Sequence, residues 1–541
     1  MNGLMMDFQL TLDAVLRRAE QHFHKKEIVT RLPDKSFHRY TYRDMAQRAK
    51  KLTLALKRLG IQKDDAVGTL CWNHYQHLEA YFAIPILGCV LHTLNLRLHP
   101  DDLVYIANDA NDKAIIVDES LLPLLDSIKD QINAKTFIVI SAGGDLPEGM
   151  LDYETLLAAE DVADFDDTAL NLDENQAAAT CYTSGTTGKP KGVLYSHRSM
   201  VLHSMAAALP DVLEIRESDC ILPVVPMFHA NSWGIPYAAA MAGPKLVFPG
   251  PFLDPESLLS AFVEEEVTVT AGVPTIWQGL LQMLDDDPKR FDLSKLRNLI
   301  VGGSAVPVSM LKNFQENHGL HITQAWGMTE LSPLGTVSGL NSELKTESAD
   351  KQYEYRAMQG NPVPLVEIRG RGDDGFIPWD GEAMGELEVR GPWISSAYFN
   401  RPDAADRFTD DGWFKTGDIV TIDDIGYIKI QDRSKDLVKS GGEWISSVDL
   451  ENAIMGHPAV AEAAVIAIPH PKWDERPLAA VVLKEGQSVT GDEIKTYLAD
   501  HVAKWWIPDA IEFIDEVPKT SVGKFKKTEL REMFKDFEFA K

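Results

Sequence analysis

Cysteine is scarce in this chain. Its four cysteines, Cys71, Cys89, Cys181 and Cys220, form no C-x-x-C pair, which excludes a disulfide framework or a thiolate metal knuckle as the organising principle. A reduced, cytoplasmic setting is the simplest expectation. Long apolar runs are missing too. The most apolar stretch, Ala80 to Leu91, is broken by Pro85 and Gly88 and is too short to cross a bilayer, so it reads as a buried helix. Met1 to Leu10 carries Asp7 and no basic region before an apolar core, so no signal peptide is expected. Positive charge is in deficit, with 53 Lys and Arg against 81 Asp and Glu and a formal net charge of −28. That field repels nucleic acid and anionic membranes, and neither is an expected partner. Any anion site must be built locally from lysine, arginine and backbone dipoles. Internal repeats and low-complexity tracts are absent.

What is present is a long α/β chain. At 541 residues it exceeds one ordinary domain, so two or more packed units are expected. Phe8, Leu12, Val15, Leu16, Ala19 and Phe23 predict an amphipathic helix over 8–23. Thr41 caps a second helix, Tyr42 to Leu59, which Gly60 stops. Short apolar strands follow at 66–70, 114–117 and 136–140, then at 220–225, 245–248, 267–271 and 299–301, in a helix–strand rhythm that argues for parallel sheets. His74 and His77, three apart, read as a polar helix face rather than half a metal site. From 360 to 430 the rhythm changes to short strands and turns. Gly370 to Gly375 matches G-x-G-x-x-G, but no helix follows, so a hairpin turn is expected rather than a dinucleotide site. A charged break at Arg433 to Asp436 precedes a compact α+β unit of about a hundred residues.

The densest chemistry lies in Tyr182-Thr183-Ser184-Gly185-Thr186-Thr187-Gly188-Lys189-Pro190-Lys191-Gly192, straight after a strand-like run. Glycines let backbone N–H groups approach an anion, hydroxyls add donors and lysines add charge. Pro190 after Lys189 rules out a Walker A loop. The stretch resembles the phosphate loop of the adenylate-forming superfamily, which includes acyl-CoA synthetases, peptide-synthetase adenylation domains and luciferases. The resemblance implies an α/β fold: a large N-terminal domain of two layered α/β subdomains plus a distorted β-barrel, then a small mobile α+β domain. It places the large domain at 1–432 with its β-rich part near 340–432, a hinge at 433–438, and the mobile domain at 439–541.

The resemblance also orders the other motifs. Thr183, Ser184, Gly185, Thr186, Thr187, Gly188 and Lys189 would hold the phosphates of ATP. Gly302, Gly303 and Ser304 resemble the adenine-side segment, though a plain strand-to-helix turn explains them equally well. Gln324-Ala325-Trp326-Gly327-Met328-Thr329-Glu330 resembles the aromatic-Gly-x-Thr-Glu motif, with Trp326 where tyrosine is usual. Trp326 would lie on adenine and Thr329 would reach phosphate, while Glu330, with Thr183, would hold Mg²⁺. Asp418 would take the ribose, with Arg433 beside it, and Lys435 falls at the hinge. Pro518-Lys519-Thr520-Ser521-Val522-Gly523-Lys524 resembles the loop whose last lysine enters during adenylation, so Lys524 is the first catalytic candidate, joined by His229 and Thr183. Lys439, Ser440, Gly441, Gly442, Glu443 and Trp444 would line the path of coenzyme A.

The acid is addressed by Met227 to Gly234. Amino-acid-activating relatives carry aspartate where His229 stands. His-x-Asn-x-Trp resembles medium- and long-chain fatty acyl-CoA synthetases, and Trp233 takes the role of acyl gate. Ile235 to Ala240 suit an apolar pocket. The expected activity is conversion of a medium- to long-chain fatty acid, ATP and CoA into acyl-CoA, AMP and pyrophosphate. Short, branched, aryl or methylthio-alkanoic acids stay open, as does a non-catalytic nucleotide-binding relative. A homodimer through the N-terminal region is compatible with the sequence.

Overall fold

A computed structural model describes residues 1, 3–168, 170–183, 189–440, 443–520 and 524–539. Two largely parallel sheets form its first part. One runs, in spatial order, through the strands Leu151–Asp152, Thr136–Ile140, Ala114–Asp118, Ala66–Leu70, Val90–Thr93, Ala177–Tyr182 and Gly192–Ser196. Only its last pair is antiparallel. The other has nine strands, with Ile322–Gly327, Asn298–Val301, Val269–Gly272 and Cys220–Pro223 adjacent at its centre. The central strands of both sheets, among them Ala66–Leu70, Val90–Thr93, Val269–Gly272 and Asn298–Val301, are buried throughout, as parallel strands covered by helices require.

The capped helix forms as expected over Tyr42–Arg58: Asp44 N–H donates to Thr41 Oγ1 and Thr41 N–H to Asp44 Oδ2, satisfying two otherwise orphaned donors. Two expectations need correction. The opening helix covers Leu12–His22 only, leaving Phe8 exposed. Residues 9 and 10 are tied to Glu174 instead, through Leu10 N–H to its carboxylate and Glu174 N–H to Gln9. The apolar run 80–91 is helical only to Ile86. Gly88, at φ +82°, ends it, and Val90–Thr93 becomes a central strand.

The β-rich part is a five-stranded antiparallel sheet, Gly375–Phe376, Glu367–Gly372, Gly385–Arg390, Phe414–Ile422 and Ile428–Arg433 in spatial order. Among the described residues no pairing joins its outer strands into a barrel. Gly370 to Gly375 is the hairpin expected from its sequence. A fourth sheet, built on the long antiparallel pair Val460–His470 and Asp474–Leu483, carries its own apolar core. The helix Ser447–Met455 packs on it and abuts Ile428–Arg433: Asp432 accepts from Ser447 N–H at 3.0 Å, and Lys429 pairs with Asp449 at 2.7 Å. These contacts set how the fourth sheet sits over the first part of the molecule.

Candidate active site

A cavity of about 670 Å³ opens where the carboxyl ends of the parallel strands meet the C-terminal unit, the place where α/β sheets usually take ligands. Thr183 and Lys189 line it, as do His229, Trp233, Gly302, Gly303 and Ser304. The run Gln324 to Glu330 contributes throughout, and Asp418, Arg433, Lys435 and Lys524 complete the set. Ser184, Gly185, Thr186, Thr187 and Gly188 lie outside the described residues, as do Gly441 and Gly442.

Thr183 and Lys191 are tied to each other by two hydrogen bonds. The Thr183 N–H donates to the Lys191 carbonyl at 3.0 Å, and its hydroxyl accepts from Lys191 N–H at 3.1 Å. Lys189 lies over the Tyr105 ring at 4.8 Å and Lys191 over Tyr398 at 5.2 Å, contacts that keep cations near the cavity. Lys191 also lines the cavity. It is a second motif lysine at the cavity, beyond the 183–189 stretch expected to hold phosphates.

Trp326 and Asp418, both buried, and the half-exposed Arg433 form one hydrogen-bonded chain. The Trp326 indole N–H donates to Asp418 Oδ2 at 3.1 Å, and Arg433 Nε meets Asp418 Oδ1 at 2.8 Å. This indole bond joins two residues 92 positions apart and was not legible in the motif. Gln324 is scaffolding: its carbonyl oxygen accepts from Val306 N–H and its amide donates to Met358 O. The Thr329 carbonyl is held by the Tyr195 hydroxyl at 2.6 Å. Glu330 Oε1 accepts from the Tyr398 hydroxyl at 2.5 Å. Tyr398 and Arg407 line the cavity from residues outside any recognised motif, and only folding could have revealed them.

Lys524 arrives from the C-terminal unit. Its N–H donates to Thr520 Oγ1 at 3.1 Å and its carbonyl accepts from Thr520 N–H at 2.7 Å. Its side chain reaches the glycine corner, where a Cβ on Gly303 would lie 3.9 Å from Lys524 Cε. Burial, then the nearby Arg433 charge, lower the Lys524 pKa, with Asp418 and Glu330 opposing. The amine can therefore offset negative charge developing between the two parts of the molecule.

The other end of the cavity is apolar and backbone-strained. Ala230, Asn231, Ser232, Trp233 and Gly234 have φ of 33°, 37°, 54°, 56° and 72°. This is a left-handed turn, and each non-glycine residue in it costs about 1–2 kcal/mol. Such strain persists only where packing over-determines it, and it concentrates at functional sites. Gly234 is required, since a Cβ would lie 2.5 Å from His203 Nδ1. The turn lays Trp233 against Gly302, where a Cβ would lie 3.0 Å from the indole. His229 is pushed down to about 3 by burial and by the Lys524 charge, so its imidazole is neutral. Ile235 to Ala240, expected beside the acid, instead form the buried helix Ile235–Ala242. None of those six lines the cavity.

Lys439, Ser440 and Trp444 lie on the outer strands of the fourth sheet and do not line this cavity. Ser440 Oγ accepts from Arg476 at 3.1 Å, and Lys439 sits over the half-exposed Trp444 ring at 5.5 Å. Glu443 pairs with Ser440 in the hairpin. His74 and His77 are buried rather than surface-facing. His74 caps its helix, accepting from His77 N–H at 3.2 Å, and bonds Asp118 at 2.8 Å. With Cys71 these groups cluster within 4.8 Å, but both His74 nitrogens are already used in hydrogen bonds. No helix among the described residues is long and apolar enough to cross a membrane.

Two parallel sheets with a cleft at their strand ends, capped by a lysine from a third unit, define an α/β class of ligand-binding protein. Residues 16–399 match the AMP-binding enzyme model and residues 449–524 its C-terminal domain model, and the chain belongs to that AMP-binding family. It is 48% identical over 98% of its length, and 97% of the relative's, to a long-chain-fatty-acid–CoA ligase of Thermus thermophilus. It is 43% identical to a 3-methylmercaptopropionyl-CoA ligase of Ruegeria lacuscaerulensis, covering 99% of both chains. The anthranilate CoA ligase AuaEII, solved with anthranoyl-AMP, superposes with a TM-score of 0.87 at 26% identity, covering 98% of each chain.

Proposed function

We propose that this protein is an ATP-dependent acid–CoA ligase that activates a medium- to long-chain fatty acid as acyl-AMP and passes the acyl group to CoA. The observation that carries this is Lys524, which lines one cavity with Asp418, Arg433, Glu330 and the Trp233 wall. A carboxylate oxygen would attack the α-phosphorus of ATP, and pyrophosphate would leave. Lys524 would neutralise the charge gathering on the acyl and phosphate oxygens, and Asp418 would hold the ribose. The CoA thiol would then attack the acyl carbonyl and AMP would depart. Mg²⁺ would be held by the Glu330 carboxylate, which the Tyr398 hydroxyl orients, since a hard cation prefers carboxylate oxygen. Thr183 and the phosphates would share that ion, which would supply charge neutralisation.

Residues 1–432 would act as one domain and 439–541 as a second, swinging about 433–438. Lys524 in the cavity, with Lys439 and Trp444 outside it, suits the adenylation arrangement. Thioester formation would need the Lys439–Trp444 face turned inward. Leu4, Met5, Met6 and Phe8 are exposed, an apolar strip suited to a homodimer. Four free, buried cysteines suit a reduced cytoplasm.

Trp233 against Gly302 also fits a short methylthio-alkanoic acid, since the helix after it does not line the cavity. Pyrophosphate release across straight-chain acids from butanoate to palmitate, with benzoate and 3-(methylthio)propanoate, separates the two. An optimum among the longer straight chains supports the fatty-acid reading. A preference for the methylthio acid replaces it, and no release with any acid overturns both.

A further inference from the structure

The strained turn at 230–234 needs something to hold it, and the contacts that do so converge on one thiol. Cys181 and Asn231 are bonded in both directions. The Cys181 thiol donates to Asn231 Oδ1 at 2.7 Å, and Asn231 N–H donates back to Cys181 Sγ at 3.3 Å. Thr93 adds a third bond, its hydroxyl donating to Asn231 Oδ1 at 3.2 Å. All three side chains are buried, so water cannot stand in for a lost partner. Asn231 is the second residue of the left-handed run, at φ 37° and ψ 51°, and asparagine is among the few residues that tolerate that region.

Cys181 occupies a distinctive place in the chain. It lies two residues before Thr183, in the strand Ala177–Tyr182 that delivers the phosphate-type loop. Tyr195 packs against the same thiol and holds the Thr329 carbonyl. One buried sulfur thus touches the strand behind the nucleotide side and the turn that forms the acid side.

We propose that Cys181 is a positioning residue for acid selection: its two-way bond with Asn231 holds the left-handed turn that seats Trp233 against Gly302. This rests on the reading of Trp233 as the wall of the acid pocket. Removing the thiol lets the turn relax toward ordinary backbone, and the indole moves with it. The cavity then changes shape at its acid end while the Trp326–Asp418–Arg433 chain stays in place.

The test compares Cys181→Ala, Cys181→Ser, Thr93→Val and Trp233→Ala with the parent enzyme. Each is assayed for kcat/KM with hexanoate and with palmitate, for the KM of ATP, and for Tm. Cys181→Ala is expected to change the hexanoate-to-palmitate ratio about five-fold or more, the effect of about one lost hydrogen bond. The ATP KM should change less than about two-fold. Cys181→Ser should restore the ratio, because a hydroxyl still donates to Asn231 across a gap that starts at 2.7 Å. Thr93→Val should shift the ratio in the same direction, and it carries the test if Cys181→Ala fails to fold. A folded Cys181→Ala or Thr93→Val with the parental ratio overturns the proposal, provided Trp233→Ala shifts it. If Trp233→Ala leaves the ratio unchanged, the pocket-wall reading fails first, and the proposal falls with it. A lowered Tm with an unchanged ratio assigns Cys181 to packing alone and likewise overturns the proposal.

Discussion

Trp326 shows how one residue can keep a site intact by different chemistry. The indole N–H reaches Asp418 at 3.1 Å, so the ring and the carboxylate are locked as one surface. Trp326→Phe keeps the ring and deletes the bond. It should raise the KM for ATP about ten-fold, within the range for hydrogen bonds to a charged group; an unchanged KM would mean the bond contributes nothing to nucleotide binding. Lys524 makes a prediction about pH. Burial, then Arg433, place its pKa below the ordinary 10.5, so its ammonium loses its proton earlier than a free lysine as pH rises. Pyrophosphate release should therefore fall on an alkaline limb set by that lysine. Lys524→Arg, charged throughout, should retain measurable activity and move the limb upward. A limb that stays put belongs to another group.

At the scale of elements, the telling contact is where the strand Ile428–Arg433 meets the helices Ser447–Met455 and Lys527–Met533. Lys527 Nζ pairs with Glu451 at 2.7 Å, both largely buried, and Arg531 reaches Asp436. Burial raises the Glu451 pKa, and Lys527 opposes it. Lys527→Met would leave that carboxylate buried without its cation, kept only by the Val465 N–H at 2.8 Å, at a cost of about 3 kcal/mol or more. A carboxyl whose pKa is raised on folding adds stability at low pH and loses it as pH climbs through the raised value. The loss of Tm should therefore be larger at pH 8 than at pH 5; equal losses would point to packing instead. The helix, strand and hairpin signals behind these elements were largely readable, because capping boxes, apolar periodicity and glycine stops act locally. The start of the first helix was misread, because Glu174 holds residues 9 and 10 from far along the chain.

For the whole molecule the question is how the C-terminal unit sits. Ser434 N–H donates to Gly417 O at 2.9 Å, while Asp436 and Leu437 N–H both donate to Arg433 O, so residues 433–437 form a tight turn just after the last strand of the β-rich sheet. Lys435→Pro would restrict φ there. It should leave acid-dependent pyrophosphate–ATP exchange near the parental level and cut CoA thioester formation from supplied acyl-AMP about ten-fold or more. Equal effects on both half-reactions would show that rotation at Lys435 is not what separates them.

The amino-acid sequence by itself determined the α/β rhythm, the glycine-rich loop after Tyr182, and the residue types at Trp326, Asp418, Arg433 and Lys524. Each depends on short-range chemistry: hydrophobic period, turn residues, and motifs a few residues long. Tertiary structure alone decided that Tyr398 binds Glu330 and that the Trp326 indole bonds Asp418. It decided that Ile235 to Ala240 pack in the core, and that Cys181 and Asn231 support a left-handed turn. Those facts join residues 50 or more positions apart. Such pairings form only when separate sheets and the C-terminal unit come together, so no local pattern in the chain encodes them.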